Sequence, residues 1–285
     1  MASMRDIKRR RDSIRSTEQI TKAMKLVATV KLQKARVRLE ETRPYTGIME
    51  TTVRSLIGRT GEEAAQFAAG MSEPSGKKAV VVITSNRGLA GGYNSHVTKL
   101  VAQNPEFPAG NTLVYALGRK GRDALAGKGY EIMGDASAVS EKPEYEPVAE
   151  MTAKLMDGIE SGKIREVYLA YTQFKNTVVH IPVLQKLFPP QAEAPREEDR
   201  SVMEYEPGED EVLKALIPQY MSSIIYGALI EASASENGAR MNAMEAAAGN
   251  AEEMIEELEL QYNRARQGTI TQELTEIIAG AGAAE

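Results

Sequence analysis

Residues 247–281 read AAGNAEEMIEELELQYNRARQGTITQELTEIIAGA. Apolar side chains recur there at Ala247, Ala251, Met254, Leu258, Tyr262 and Ala265, and resume at Ile270, Leu274, Ile277 and Ala281. Steps of three and four place them in one stripe with a mean spacing of about 3.5 residues, the seam of a coiled coil. After Pro218 the chain has no further proline, so one helix of about 67 residues, roughly 100 Å long, can run to the end. A helix of that length cannot enclose a core by itself. It needs a partner of similar length, and the other end of the chain supplies one. Asp6 to Arg43 reads as a second long helix, with Ile7, Ile14, Ile20, Met24, Val27 and Val30 near one face. Pro44 kinks or ends it, and Tyr45 to Ile57 can continue it past a kink.

Charge supports this pairing. The net charge of −5 over 285 residues hides a strong segregation. Residues 1–43 carry 13 Lys and Arg against 5 Asp and Glu, whereas 209–285 carry 4 against 14. Exposed ion pairs contribute only roughly 0–1 kcal/mol each, but a basic helix and an acidic one are predisposed to lie together rather than self-associate. The run Lys8-Arg9-Arg10-Arg11 is read as a solvated helix face, not as a nucleic-acid patch.

Composition removes several chemistries. The chain has no Cys, so disulfides and thiol catalysis are excluded, and its two histidines, His96 and His180, are too few and too far apart to suggest a metal site. There is no Trp and there are only four Phe, which suits elongated helices packed along Ala, Met, Ile and Leu better than one large core. No run of about 20 apolar residues offers a membrane span, and no apolar signal region opens the chain.

The middle alternates strand and helix patterns. Ala79-Val80-Val81-Val82-Ile83 is a continuous apolar, largely β-branched run, as in a buried parallel strand. The loop from Thr84 to Asn94 and a helix to about Gln103 follow. Strands at 112–117 and 130–133 alternate with helices near 120–126 and 147–159. Val167–Thr172 and Val178–Leu184 flank Lys175-Asn176 as a hairpin, and 201–205 reads as a last strand. The expected fold is therefore an α/β domain ending in an antiparallel edge, joined to a long antiparallel two-helix coiled coil. The expected boundaries are 1–57 for the first helix, 58–77 for a connector, 78–207 for the Rossmann-like α/β domain and 208–285 for the second helix.

The glycine-rich loop Asn86-Arg87-Gly88-Leu89-Ala90-Gly91-Gly92 sits where phosphates are cradled in many strand–loop–helix units. It matches neither G-x-x-x-x-G-K-[ST] nor G-x-G-x-x-G, and is read as a tight turn with structural glycines. No nucleophile, general base and metal cluster combine elsewhere, so neither a catalytic site nor a cofactor is expected. Along 232–251 the second helix is dominated by Ala, Ser and Gly, which lets helix axes approach closely. Its uncharged tail, 277–284, extends past anything the first helix can cover and should end inside another protein.

At this point the residues resemble a family. Residues 270–281, ITQELTEIIAGA, are similar to the C-terminal signature of the gamma subunit of bacterial F-type ATP synthases. Ile20-Thr21-Lys22-Ala23-Met24, the segment 85–91 and the segment 234–241 resemble three more of its blocks, in the family's order. The departures are Asn86 where Asp is frequent, Gly238 where Ala is usual and Gly249 where Asp is common.

The resemblance implies a non-catalytic central rotor shaft. Ion flow, of protons or sodium, turns a membrane c ring, and the shaft drives conformational cycling of the catalytic beta subunits. The implied partners are three alpha and three beta subunits, the epsilon subunit and the c ring, with neither nucleic acid nor direct membrane insertion. The implied place is the cytoplasmic side of the bacterial plasma membrane, peripherally bound. Carried over by position, Arg240, Arg266, Gln267 and Thr271 match beta-subunit contacts, as do Lys22, Met24 and Lys25. Tyr205 and Glu206 match the foot that meets the c ring and epsilon. For Arg240 a local alternative is an intrahelical pair with Glu236; for Met24 it is plain seam. For the whole chain the alternatives are a coiled-coil scaffold with an α/β ligand-sensing domain, or a nucleotide-dependent enzyme using the Gly88 loop.

Overall fold

The computed structural model describes residues 4–70, 75–191, 206 and 208–282, with side chains over 4–58, 75–191, 206, 208 and 211–278. The chain runs α1 (Met4–Gly70), β1 (Lys77–Ile83), α2 (Tyr93–Ala102), β2 (Thr112–Leu117), α3 (Arg119–Ala126), β3 (Glu131–Asp135), α4 (Ser137–Glu141), α5 (Tyr145–Glu160), β4 (Ile164–Phe174), β5 (His180–Phe188) and α6 (Glu209–Gly282). Both long helices carry a proline, Pro44 in α1 and Pro218 in α6. Each costs its helix one N–H donor, yet neither ends it, and α1 continues to Gly70. The expected strand at 201–205 lies outside the described residues.

The chain divides into two units, one made of 1–28 with 241–285 and the other of 29–240. The first is a helix pair. Its cross-helix contacts are Arg11 over the Tyr262 ring at 5.9 Å, Arg15–Glu259 at 3.7 Å, Lys22–Glu252 at 2.5 Å and Lys25–Glu245 at 2.7 Å. Partner numbers rise on α1 as they fall on α6, which makes the pair antiparallel, as the charge segregation implied.

The seam is not entirely the expected one. Ile7, Thr21 and Ala28 are buried on α1, and Met244, Ala248, Ala251, Ile255 and Leu258 on α6. By contrast Ile20 is 57% exposed, Val27 58% and Met254 42%. Further along α1, in the second unit, Leu32, Ala35 and Leu39 continue the buried steps of three and four while Val30 is left exposed. Ile7, Ala251 and Leu258 of the expected seam are buried, while Thr21, Ala28, Ala248 and Ile255 take the places of Ile20, Val27, Ala247 and Met254. The inward positions are filled partly by small or polar residues, Thr21, Ala28 and Ala248.

The second unit holds a five-stranded sheet of order β3-β2-β1-β4-β5, with β1 parallel to β2 and β4, β2 parallel to β3, and β5 antiparallel at the edge. β1 explains its own composition. Ala79, Val81 and Ile83 face a core shared with α1, α5 and α6, while Val80 and Val82 face a second core with α2 and α3. A strand covered on both faces reads as an unbroken apolar run. On the first face Val53, Leu56 and Ile57 of α1 and Leu213 through Ala232 of α6 join the core, so both long helices are built into the domain.

Candidate functional site

The glycine-rich loop after β1 is spent on itself. Leu89 and Gly91 take positive φ values, 62° and 55°. Asn94 Oδ1 accepts from the Ser85 N–H at 2.9 Å, and Ser85 Oγ donates to the Arg87 carbonyl at 2.5 Å. Asn86 bridges the neighbouring loops: its Nδ2 donates to Ser137 O at 2.8 Å and its Oδ1 accepts from the Arg119 N–H at 3.0 Å. An aspartate here could accept but not donate, so the amide suits both partners. Thr84 Oγ1 accepts from the Gly121 N–H at 2.8 Å, and a Cβ on Gly118 would come within 2.1 Å of the Thr84 carbonyl. Gly118 keeps two loops in contact.

The winding of the sheet reverses between β1 and β4. Open α/β sheets take their ligands in the crevice beyond the C-terminal ends of two such strands. Here α6 contacts both walls of it. From the β1 side, Tyr93 Oη donates to the Ala232 carbonyl at 3.3 Å. From the β4 side, the Thr172 carbonyl accepts from Ser235 Oγ at 3.0 Å. Ala232, Ala234 and Ser235 are buried, and burial raises the Tyr93 phenol well above its ordinary range. These groups do not form a linear motif, and the reading of the sequence missed them; the run of Ala and Ser along 232–235 was the one available signal.

Nearby, α6 carries two carboxyls held protonated more readily than usual by burial. Glu231 lies 3.7 Å from Arg43, which lowers its pKa along with the Phe174 N–H and the Tyr171 hydroxyl, but desolvation dominates. Glu236 is raised for the same reason and is opposed by Arg240 at 2.7 Å. Arg240 thus forms the local intrahelical pair, and its Nη2 also lies 3.5 Å from the Gly88 carbonyl. His180 stands at the start of β5 with its pKa lowered by burial.

The remaining candidate residues lie along the helices. Lys22 is exposed and bonded to Glu18 at 2.6 Å and Glu252, and these carboxylates raise its pKa. Lys25 and Met24 are half-buried, Lys25 against Glu245. Arg266, Gln267 and Thr271 fall on one exposed stretch of α6, where Thr271 Oγ1 donates to the Gln267 carbonyl at 2.9 Å. Glu206 is exposed, and Tyr205 lies outside the described residues.

Past this stretch no described residue of α1 lies against α6. The register of the pair matches Arg11 with Tyr262 and Arg15 with Glu259, so Met4, where α1 begins, falls opposite the region of Ile270. Beyond it, Leu274 is 55% exposed, Ile277 67% and Ile278 72%.

Two long helices that both enter the core of an α/β domain, with α6 crossing the crevice at the ends of β1 and β4, define the class of fold. The family model for ATP synthase matches residues 3–284. The chain is 52% identical to the ATP synthase gamma chain of Lachnoclostridium phytofermentans, with 99% of each chain covered. It is 41% identical to the sodium-ion-specific gamma chain of Acetobacterium woodii, covering 99% of this chain and 98% of that one. Among solved structures it is similar to chains of the Euglena gracilis mitochondrial ATP synthase, both at 18% identity. In the OSCP/F1/c-ring structure the TM-score is 0.67 over 98% of this chain and 94% of that one. In the rotor structure it is 0.63 over 94% and 98%. The chain belongs to the ATP synthase gamma-chain family, and ATP synthesis by that complex is the function the membership carries.

Proposed function

We propose that the chain is the central rotor shaft of the catalytic sector. It turns with a membrane c ring driven by ion flow and presents a different face to each catalytic beta subunit in turn. Each site is biased by contacts that differ between its open and closed states. Coupling is reciprocal, so ATP hydrolysis turns the shaft backwards and pumps ions. The chain itself is non-catalytic. Its partners are three alpha and three beta subunits, epsilon and the c ring.

The observation that carries this reading is the apolar end of α6, with Leu274, Ile277 and Ile278 exposed past the described residues of α1. An apolar sleeve formed by the surrounding subunits would bury it. The α/β domain, 78–207, is the foot, meeting the c ring and epsilon near Tyr205 and Glu206. The beta subunits touch Arg240, Arg266, Gln267 and Thr271 on α6 and Lys22, Met24 and Lys25 on α1. Among the described residues no helix is long and apolar enough to cross a membrane, in keeping with peripheral attachment on the cytoplasmic side of a bacterial plasma membrane.

The test is co-purification of the tagged chain from its native membranes. Alpha, beta and epsilon recovered at three to three to one per chain support the rotor; a free homo-oligomer refutes it. Arg240→Ala with Gln267→Ala should lower coupled ATP synthesis in assembled complexes, and wild-type rates would remove those contacts from the proposal.

A further inference from the structure

The crevice at the β1/β4 reversal holds a helix where this class of sheet ordinarily holds a ligand. Three features follow one another along α6, at steps of three residues. The Ala232 carbonyl accepts from Tyr93 Oη on the β1 side, and Ser235 Oγ donates to the Thr172 carbonyl at the end of β4. At Gly238 the His180 ring of β5 comes so near that a Cβ would lie 2.7 Å from Nε2. The hydrogen bonds reach opposite walls, so α6 cannot roll about its own axis without losing one of them. The small residues between let the helix backbone sit this close.

We propose that this crevice is a torsional clamp, with Ser235 and Tyr93 as positioning residues that fix the azimuth of α6 against the sheet. Torque received by the domain then enters the continuous helix at 232–238. The proposal rests on the rotor reading and assigns it a place.

The chain has no cysteine, so Lys128→Cys, in an exposed turn, gives one attachment point for a bead on the domain of the full complex. Rotation is stalled and the angular fluctuation of the bead is recorded with and without Ser235→Ala plus Tyr93→Phe. Each change deletes one hydroxyl. The variance should widen by about two-fold when both hydrogen bonds are lost and packing alone remains, while ATP hydrolysis by the complex is unchanged. A role confined to folding would lower the melting temperature and leave the variance alone. Should the double variant fail to assemble, Ser235→Ala alone must widen the distribution by a smaller amount. An unchanged variance in an assembled variant overturns the clamp. A wild-type bead that does not turn with ATP overturns the rotor reading instead.

Discussion

Gly238→Ala should destabilise this chain, against the general rule for glycine in a helix. Replacing an interior helical glycine by alanine ordinarily stabilises by about 1 kcal/mol. Here the new methyl would lie 2.7 Å from His180 Nε2, 3.4 Å from Cε1 and 3.7 Å from Cδ2. The ring sits half-buried at the start of β5, 6.0 Å from the Phe174 ring, and must move for the methyl to fit. Overpacking of this kind costs about 1–3 kcal/mol. The two effects combine to a net loss of about 0–2 kcal/mol for the single variant.

The sign reverses when the ring is gone. In a His180→Ala background the same Gly238→Ala change should stabilise by about 1 kcal/mol, because only helix propensity remains. Gly249→Ala is the control: nothing lies within 4 Å of its added Cβ, so it should stabilise by about 1 kcal/mol in both backgrounds. Urea unfolding of the full-length chain, followed by circular dichroism, measures all the corners of the cycle. An equal gain from Gly238→Ala with and without His180 would refute the steric argument.

Other outcomes follow from the charged groups. Glu231 has its pKa raised above 4.5 chiefly by burial, so the folded state binds its proton more tightly than the unfolded one. Its cost is absent below the unfolded value and complete above the folded one, and stability falls as pH rises between them. Glu231→Gln should therefore raise stability at neutral pH and flatten that decline, leaving Glu236 as a second group of the same sign; an equally steep profile in urea titrations would contradict it. On the helix pair, Lys22→Glu should weaken pairing and Glu252→Lys should restore it in the double variant, with the rescue fading in high salt because both side chains are about half exposed. Salt-independent rescue in thermal melts would argue against a charge effect.

Much of the architecture was legible in local patterns. The buried run 79–83, the alternation that follows it and the long acidic helix, without proline after Pro218, each announced their element, because periodicity and propensity act over a few residues. Opposite charge at the two ends foretold the pairing. Which stripe would face inward was not legible: Ile20, Val27, Val30 and Met254 are apolar and spaced well, yet Thr21, Ala28 and Ile255 occupy the seam. Positions one residue apart both fit a spacing of three and four, so hydrophobic periodicity does not separate two adjacent stripes.

The sequence by itself determined an α/β domain and two long terminal helices, through charge, spacing and the family blocks at both ends. Only the tertiary structure decided what α6 does inside that domain. Tyr93, Thr172, His180 and Ser235 lie far apart along the chain and come together only because the sheet reverses between β1 and β4. A long-range hydrogen bond leaves no periodic trace in either segment that makes it, so the grip on the helix had to be seen in three dimensions.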